Sequence, residues 1–221
     1  LGSSLTDPLY HGHTVIAYEG RNEPGSWVEL IKKHGCTIFI GVPTIYRQII
    51  QKTDATKIDT PTLRHCMSAG EHLSSEMVAA WQERFEQDIY EAIGMSEISY
   101  YISHSLHNPI RPGSAGFVQP GHQVYLLDPE TLEEVDTEEE GMICVSEDDP
   151  GLFLEYWQLE EETRKARRNG YFFTGDYARR DADGMRTIGL GANDAAHGVG
   201  AMAVSIAGHH GVGARRVVPV V

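Results

Sequence analysis

Thr37 to Val42 (TIFIGV) is an unbroken apolar run that stops at a proline. A run of this length, β-branched and bounded by breakers, reads as a strand buried on both faces, as in a parallel sheet. The surrounding residues repeat the theme. His13 to Tyr18 reads as a strand, and Ser26 to His34 as a helix with Ser26 as N-cap and Gly35 as its stop. Thr44 to Lys52 reads as a helix, Leu63 to Ser68 as a strand, Ser74 to Phe85 as a helix with a Ser-Ser-Glu start, and Asp88 to Ile93 as a strand. This βαβα order predicts an α/β fold: a partial parallel sheet flanked by helices. On such sheets ligands bind beyond the carboxyl ends of the strands. Three loops belong there: Gly41 to Thr44, Ser68 to Glu71, and Gly94 to Glu97.

From about Pro109 the texture changes. Short strands at Gln123 to Leu127, Gly141 to Val145 and Tyr171 to Thr174 alternate with Gly, Pro and acidic turns. A small antiparallel, barrel-like β subdomain is expected. Glu130 to Glu140 reads as a solvated acidic hairpin. The last stretch, residues 189–221, is filled by Gly, Ala and Val at 21 of 33 positions, without an amphipathic period, and is expected to be flexible. His197, His209 and His210 lie in it without the carboxylate or cysteine partners of a credible metal site. The division expected is therefore 1–108, 109–188 and 189–221.

With 18 Lys and Arg against 32 Asp and Glu, the formal net charge is −14. Such a surface repels phosphate backbones and anionic membranes, which argues against nucleic acid and membrane partners. No apolar run approaches the roughly 20 residues of a membrane helix, and the first residues lack a signal-peptide pattern. Cys36, Cys66 and Cys144 are far apart and odd in number, against a disulfide framework; Cys36 and Cys66 read as core thiols. A cytoplasmic setting is expected.

The most informative segment is Ile89-Tyr90-Glu91-Ala92-Ile93-Gly94-Met95-Ser96-Glu97. It delivers a glycine, a hydroxyl and a carboxylate at the end of a strand. Gly94 would let a ligand approach the backbone closely. Ser96 could donate to a phosphate oxygen, and Glu97 could hold Mg²⁺, which prefers hard oxygen ligands. Serine followed by glutamate also starts helices, and that alternative stays open from this segment alone.

Four blocks in order resemble the adenylate-forming (AMP-binding) superfamily, which includes acyl-CoA synthetases and aryl-acid ligases. They are Gly41-Val42-Pro43-Thr44-Ile45-Tyr46, Ser68-Ala69-Gly70-Glu71-His72-Leu73, Ile93-Gly94-Met95-Ser96-Glu97, and Tyr171-Phe172-Phe173-Thr174-Gly175-Asp176. Arg111-Pro112-Gly113-Ser114-Ala115-Gly116 and Pro120-Gly121 match the intervening segment, so the resemblance covers about residues 1 to 188. It implies that ATP and Mg²⁺ activate a small carboxylic acid as its acyl-AMP and that CoA accepts the acyl group. It implies roles for Ser96 at phosphate, Glu97 at Mg²⁺, and Gly70, Glu71, Ala92, Ile93, Gly94 and Met95 around the adenine. Asp176 would accept from both ribose hydroxyls, as a carboxylate can; on the motif alone it could equally be a turn aspartate between two strands. Val42, Pro43 and Tyr100 would face the acid, although Tyr100 and Tyr101 could equally be packing residues. Ile93 stands where the family commonly has a tyrosine, which is similar to the benzoate-CoA ligase-like branch.

The resemblance also marks departures. The family's phosphate loop would precede residue 1, and its mobile domain, with a catalytic lysine, would follow this chain. Where the family shows a Gly-Arg pair, residues 183–194 place Leu190 or Ala192. The abrupt change after Ile188 is what a shifted or disrupted reading frame would leave, a hypothesis that the encoding DNA tests. Three readings follow: a fragment of an AMP-forming acid-CoA ligase, inactive in isolation; a nucleotide- and carboxylate-binding module; or a structural remnant acting through subunit contacts, a homodimer included.

Overall fold

A computed structural model describes residues 6–21, 23–108 and 110–184, and the backbone alone at 186–188, 203–206 and 218–220. The chain divides into two compact units, residues 1–90 with 199–221, and residues 91–198. The second unit thus takes in residues upstream of Pro109, where the sequence texture changes.

The first unit runs α1 (Asp7–Tyr10), β1 (Thr14–Tyr18), α2 (Pro24–His34), β2 (Ile38–Gly41), α3 (Pro43–Lys52), β3 (His65–Ala69), α4 (Ser75–Phe85) and the first residues of β4 (Ile89–Ile93). β2 and β3 pair in parallel, with Gly41 opposite Ser68. This is the α/β architecture that the βαβα order predicted. Helix α2 begins at Pro24, with Glu23 as the extended N-cap, so Ser26 lies inside the helix and does not cap it. Proline is favoured at the first helical position because its missing N–H would have no partner there. Gly35 ends the helix in the left-handed conformation, as expected. Ser74 caps α4 by accepting from the Met77 N–H.

β2 alternates between half-buried and buried residues and is not buried on both faces. Phe39 faces inward onto Tyr46 of α3 and Trp81 of α4; the Tyr46 and Trp81 centroids lie 4.7 Å apart, and Trp81 stacks on Phe85 at 4.1 Å. Cys36 and Cys66 are buried in this core, as expected. The Tyr46 hydroxyl, also buried, donates to Met67 O at 2.8 Å and to Phe39 O at 3.1 Å, tying the two parallel strands through one side chain.

The second unit holds the rest of β4, then β5 (Ile102–Ser103), β6 (Phe117–Val118), β7 (Val124–Leu127), β8 (Glu140–Ser146), α5 (Glu160–Ala166), β9 (Arg167–Arg168), β10 (Tyr171–Arg180) and β11 (Arg186–Ile188). β4, β5 and β6 pair antiparallel in turn. β7, β8, β10 and β11 form the antiparallel sheet that the second half of the sequence predicted, and β9 also pairs with β10. Its core gathers Tyr101, Ile102, Leu126, Ile143, Val145 and Phe172. Most positions from 129 to 140 are exposed, with the one bridge Leu127–Glu134 closing the acidic turn.

β10 is longer than its sequence suggested. It runs through Thr174-Gly175-Asp176 to Arg180, with a register shift against β8 between Phe173 and Tyr177. Gly175 has a φ of +83°, which reads as a turn in sequence but here makes a bulge inside a continuous strand.

Most of the 189–221 stretch, including His197, His209 and His210, lies outside the described residues. Within it, the backbone of β12 (Ala203–Ile206) pairs with β1 and β2, and β13 (Val218–Val220) pairs with β1.

Candidate functional site

In the first unit, the parallel pairing of β2 and β3 brings two of the three predicted loops side by side. Pro43 starts α3, which sets Val42 in extended backbone just beyond β2. Gly70 follows β3 with a φ of +90°, a conformation that favours glycine. A Cβ at Gly70 would stand 3.8 Å from Val42 Cγ1, so the two loops touch. They are also bonded: Thr44 Oγ1 donates to Glu71 Oε2 at 2.8 Å. Pro43 is buried, Val42 half-buried, and Gly70 and Glu71 exposed. Thr44 joins no motif chemistry in sequence, and its role becomes visible only from the pairing.

The third loop belongs to the second unit. Ser96 and Glu97 do not begin a helix: the chain from Gly94 to Tyr101 makes an irregular turn-back. The Met95 N–H donates to Ile98 O at 2.9 Å, and the Tyr101 N–H donates to Ile93 O at 3.1 Å. The absent side chain of Gly94 serves this turn: a Cβ there would lie 2.8 Å from Tyr100 N and 3.1 Å from Tyr100 Cα. Close packing of the chain on itself is therefore a sufficient reason for a glycine. Ala92 is buried, Ile93, Met95, Glu97 and Tyr100 are half-buried, and Gly94 and Ser96 are exposed.

Glu97 is held from a distant segment. The Phe153 N–H donates to Glu97 O at 2.7 Å, Ile98 bridges Leu152, and Tyr156 Oη donates to Glu97 Oε1 at 2.8 Å. Burial, with the Glu97 hydrogen bond and charge added, pushes the Tyr156 phenol up to about 12, so it stays a proton donor at neutral pH.

Asp176 sits on the β10 bulge, within a strand and not in a turn between two strands. Thr174 Oγ1 donates to Ile143 O at 2.9 Å and accepts from the Asp176 N–H at 3.1 Å, which fixes the bulge. Tyr101 is fully buried, a core residue as one reading of the sequence had it. Burial pushes its phenol up, and the Asp176 charge adds to this. The hydroxyl meets hydrogen-bond geometry to no partner among the described residues. Beyond the bulge, Arg111 donates to Asp181 at 2.7 Å and Asp183 at 2.5 Å, tying the Arg-Pro-Gly segment to the end of β10.

Among the described residues no group of three His, Cys, Asp or Glu could hold a metal. Glu97 thus belongs to no such cluster of three among the described residues, and a magnesium ion there would have to take most of its ligands from water and substrate. That fits an ion that keeps waters and takes one or two carboxylates together with substrate phosphates. It does not fit an all-protein cage.

Comparisons with known proteins bear on the family and the fold. The model of the family described as AMP-binding enzyme matches residues 2–157. A 3-hydroxybenzoate–CoA ligase of Aromatoleum sp. (strain CIB) is 32% identical over 184 residues, 83% of this chain and 35% of that protein. Among solved structures, the anthranilate CoA ligase AuaEII in complex with anthranoyl-AMP superposes with a TM-score of 0.78 at 30% identity, covering 85% of this chain and 36% of its own. A benzoate CoA ligase from Burkholderia xenovorans LB400 does so with a TM-score of 0.78 at 26% identity, covering 85% and 38%. The chain spans about a third of the length of the curated relatives it matches. The motifs, the fold and the match over most of its residues converge: this chain belongs to the AMP-binding enzyme family.

Proposed function

We propose that the chain is part of an AMP-forming acid-CoA ligase, which uses ATP and Mg²⁺ to convert a carboxylic acid to its acyl-AMP and then passes the acyl group to CoA. The observation that carries this reading is the Gly94–Glu97 loop. It leaves its strand without starting a helix, is bonded through its backbone to Ile98 and Phe153, and carries a hydroxyl and a carboxylate at successive positions.

In this proposal Ser96 donates to a phosphate oxygen and Glu97 holds Mg²⁺ against the phosphates, where the ion supplies charge neutralisation. Asp176 accepts from the ribose hydroxyls. Ala92, Ile93, Gly94 and Met95, with Gly70 and Glu71, frame the adenine. Val42, Pro43 and Tyr100 face the acid. Catalysis then rests on charge stabilisation and in-line positioning at the α-phosphate and needs no covalent protein nucleophile.

The acid is proposed to be aryl or medium-chain acyl. The names of the relatives support this: a 3-hydroxybenzoate–CoA ligase and an anthranilate CoA ligase among them. Residues 183–194 lack a Gly-Arg pair, which supports binding without turnover by the isolated chain. A cytoplasmic setting is part of the proposal, and among the described residues no helix is long and apolar enough to cross a membrane. The test is AMP-forming thioester synthesis by the full-length parent over a panel of aryl and medium-chain acids. Acid-dependent AMP release is expected, and its absence with every acid would sink the proposal.

A further inference from the structure

Tyr156 lies 59 positions from Glu97 in sequence, and the segment that carries it is held at several points. Its N–H donates to Thr163 Oγ1 of α5 at 2.9 Å. Its ring packs on Phe153, with centroids 4.7 Å apart, and Phe153 in turn meets Phe172 edge-on at 5.4 Å. The Arg167 guanidinium lies 4.9 Å over the Phe153 ring and donates to Phe153 O and Leu154 O at 2.6 and 2.9 Å. Thr163, the aromatic pair and Arg167 thus fix the Phe153–Tyr156 strap. The strap in turn fixes Glu97 at its backbone carbonyl and at one carboxylate oxygen.

That arrangement has a chemical consequence. A glutamate with three free torsions loses side-chain freedom when it must hold one pose. A donor held on Oε1 settles that pose before any ligand arrives. The Tyr156 bond fills one lone-pair direction of Oε1, which leaves Oε2 the less engaged oxygen for a cation.

We infer that Tyr156 is a positioning residue for Glu97: by occupying Oε1 it presents Oε2 to a magnesium-bound polyphosphate. This deepens the proposed function and rests on that reading. Tyr156 does not touch the ligand; it acts through the carboxylate. Its effect therefore belongs to magnesium-dependent binding and not to recognition of the nucleoside.

The experiment is equilibrium binding to the full chain of AMP without magnesium and of ATP with magnesium, with melting temperature recorded on each protein. Tyr156→Phe keeps the ring and removes the hydroxyl. The expected result is an AMP affinity and a melting temperature close to wild type, and a magnesium–ATP affinity about tenfold weaker, as for loss of a hydrogen bond to a charged group. Glu97→Gln should weaken magnesium–ATP at least as much, and the double variant no further than Glu97→Gln alone. Equal loss for AMP and magnesium–ATP, or no loss for either, overturns the inference while leaving the proposed function standing. Wild-type chain that binds neither nucleotide overturns the inference as well, whereas the proposed function falls only if the full-length parent releases no AMP with any acid.

Discussion

The Thr44 hydroxyl donates to Glu71 Oε2 at 2.8 Å and so joins the turn after β2 to the loop after β3. The parallel register that sets Gly41 opposite Ser68 delivers both loops to one end of their strands. The bond engages the Glu71 side chain, and in the proposed function the backbone of this loop borders the adenine. Thr44→Val removes the donor at nearly constant volume. It is expected to weaken AMP binding by about two- to tenfold, the usual range for one hydrogen bond. Thr44→Ser should restore most of it. Calorimetric titration of the three proteins checks this.

Gly94 has a reason to be glycine that owes nothing to a ligand. A methyl there would press on Tyr100 N at 2.8 Å, which is backbone and cannot step aside. Gly94→Ala is therefore expected to cost about 1–3 kcal/mol of stability. The control is Gly25→Ala, at the start of α2, where nothing lies within 4 Å of the added carbon. That variant should be neutral or slightly stabilising. Thermal melts of the pair separate steric cost from general intolerance.

Tyr46→Phe removes one hydroxyl and leaves two carbonyls, Phe39 O and Met67 O, with one acceptor site fewer filled. The ring stays in place. A loss of about 1–2 kcal/mol is expected in urea unfolding, because a fully buried polar bridge is removed and nothing replaces it.

Asp149 provides a pH test. Its buried carboxylate accepts from Gln123 N at 2.7 Å and Gly151 N at 2.8 Å and contacts His122 Nδ1 at 3.1 Å. Burial raises its pKa, but these bonds and the His122 charge outweigh that, so the carboxyl ends below its ordinary value. A folded-state pKa below the unfolded one gives stability that is complete above the unfolded value, about 3.9, and is lost as pH falls through the folded value. Asp149→Asn should therefore be less stable than wild type at pH 7 by about 1–3 kcal/mol. The gap should hold down to about pH 5 and close below about pH 4. Melts across that range check it.

The elements that could be read from sequence are those with local causes. The apolar run gave β2, and Gly35 and Ser74 marked a helix end and a helix start by their own chemistry. The misreadings were also local. Ser26 looked like a cap because Pro24, itself a start signal, went unused. The turn that the Thr174-Gly175-Asp176 motif alone left open is instead a bulge, because a positive-φ glycine serves both. The long-range pairings left no trace, although Thr44, Glu71 and Glu97 stand in the motif blocks themselves. Tyr156 reaches Glu97 across 59 positions and Thr44 reaches Glu71 across 27, distances at which no periodicity speaks. Motif order found Glu97 and Asp176, but not what holds them.

The central claim is that this chain carries binding residues for an acid adenylate, and Asp176 on the β10 bulge tests it most directly. The measurement is calorimetric binding of a non-hydrolysable benzoyl-AMP mimic to wild type and to Asp176→Ala. The account predicts saturable binding by wild type and a loss of at least about tenfold in the variant, as expected when a carboxylate's hydrogen bonds to two hydroxyls are removed, with little change in melting temperature. Failure of wild type to bind, or equal binding by both proteins, would contradict it.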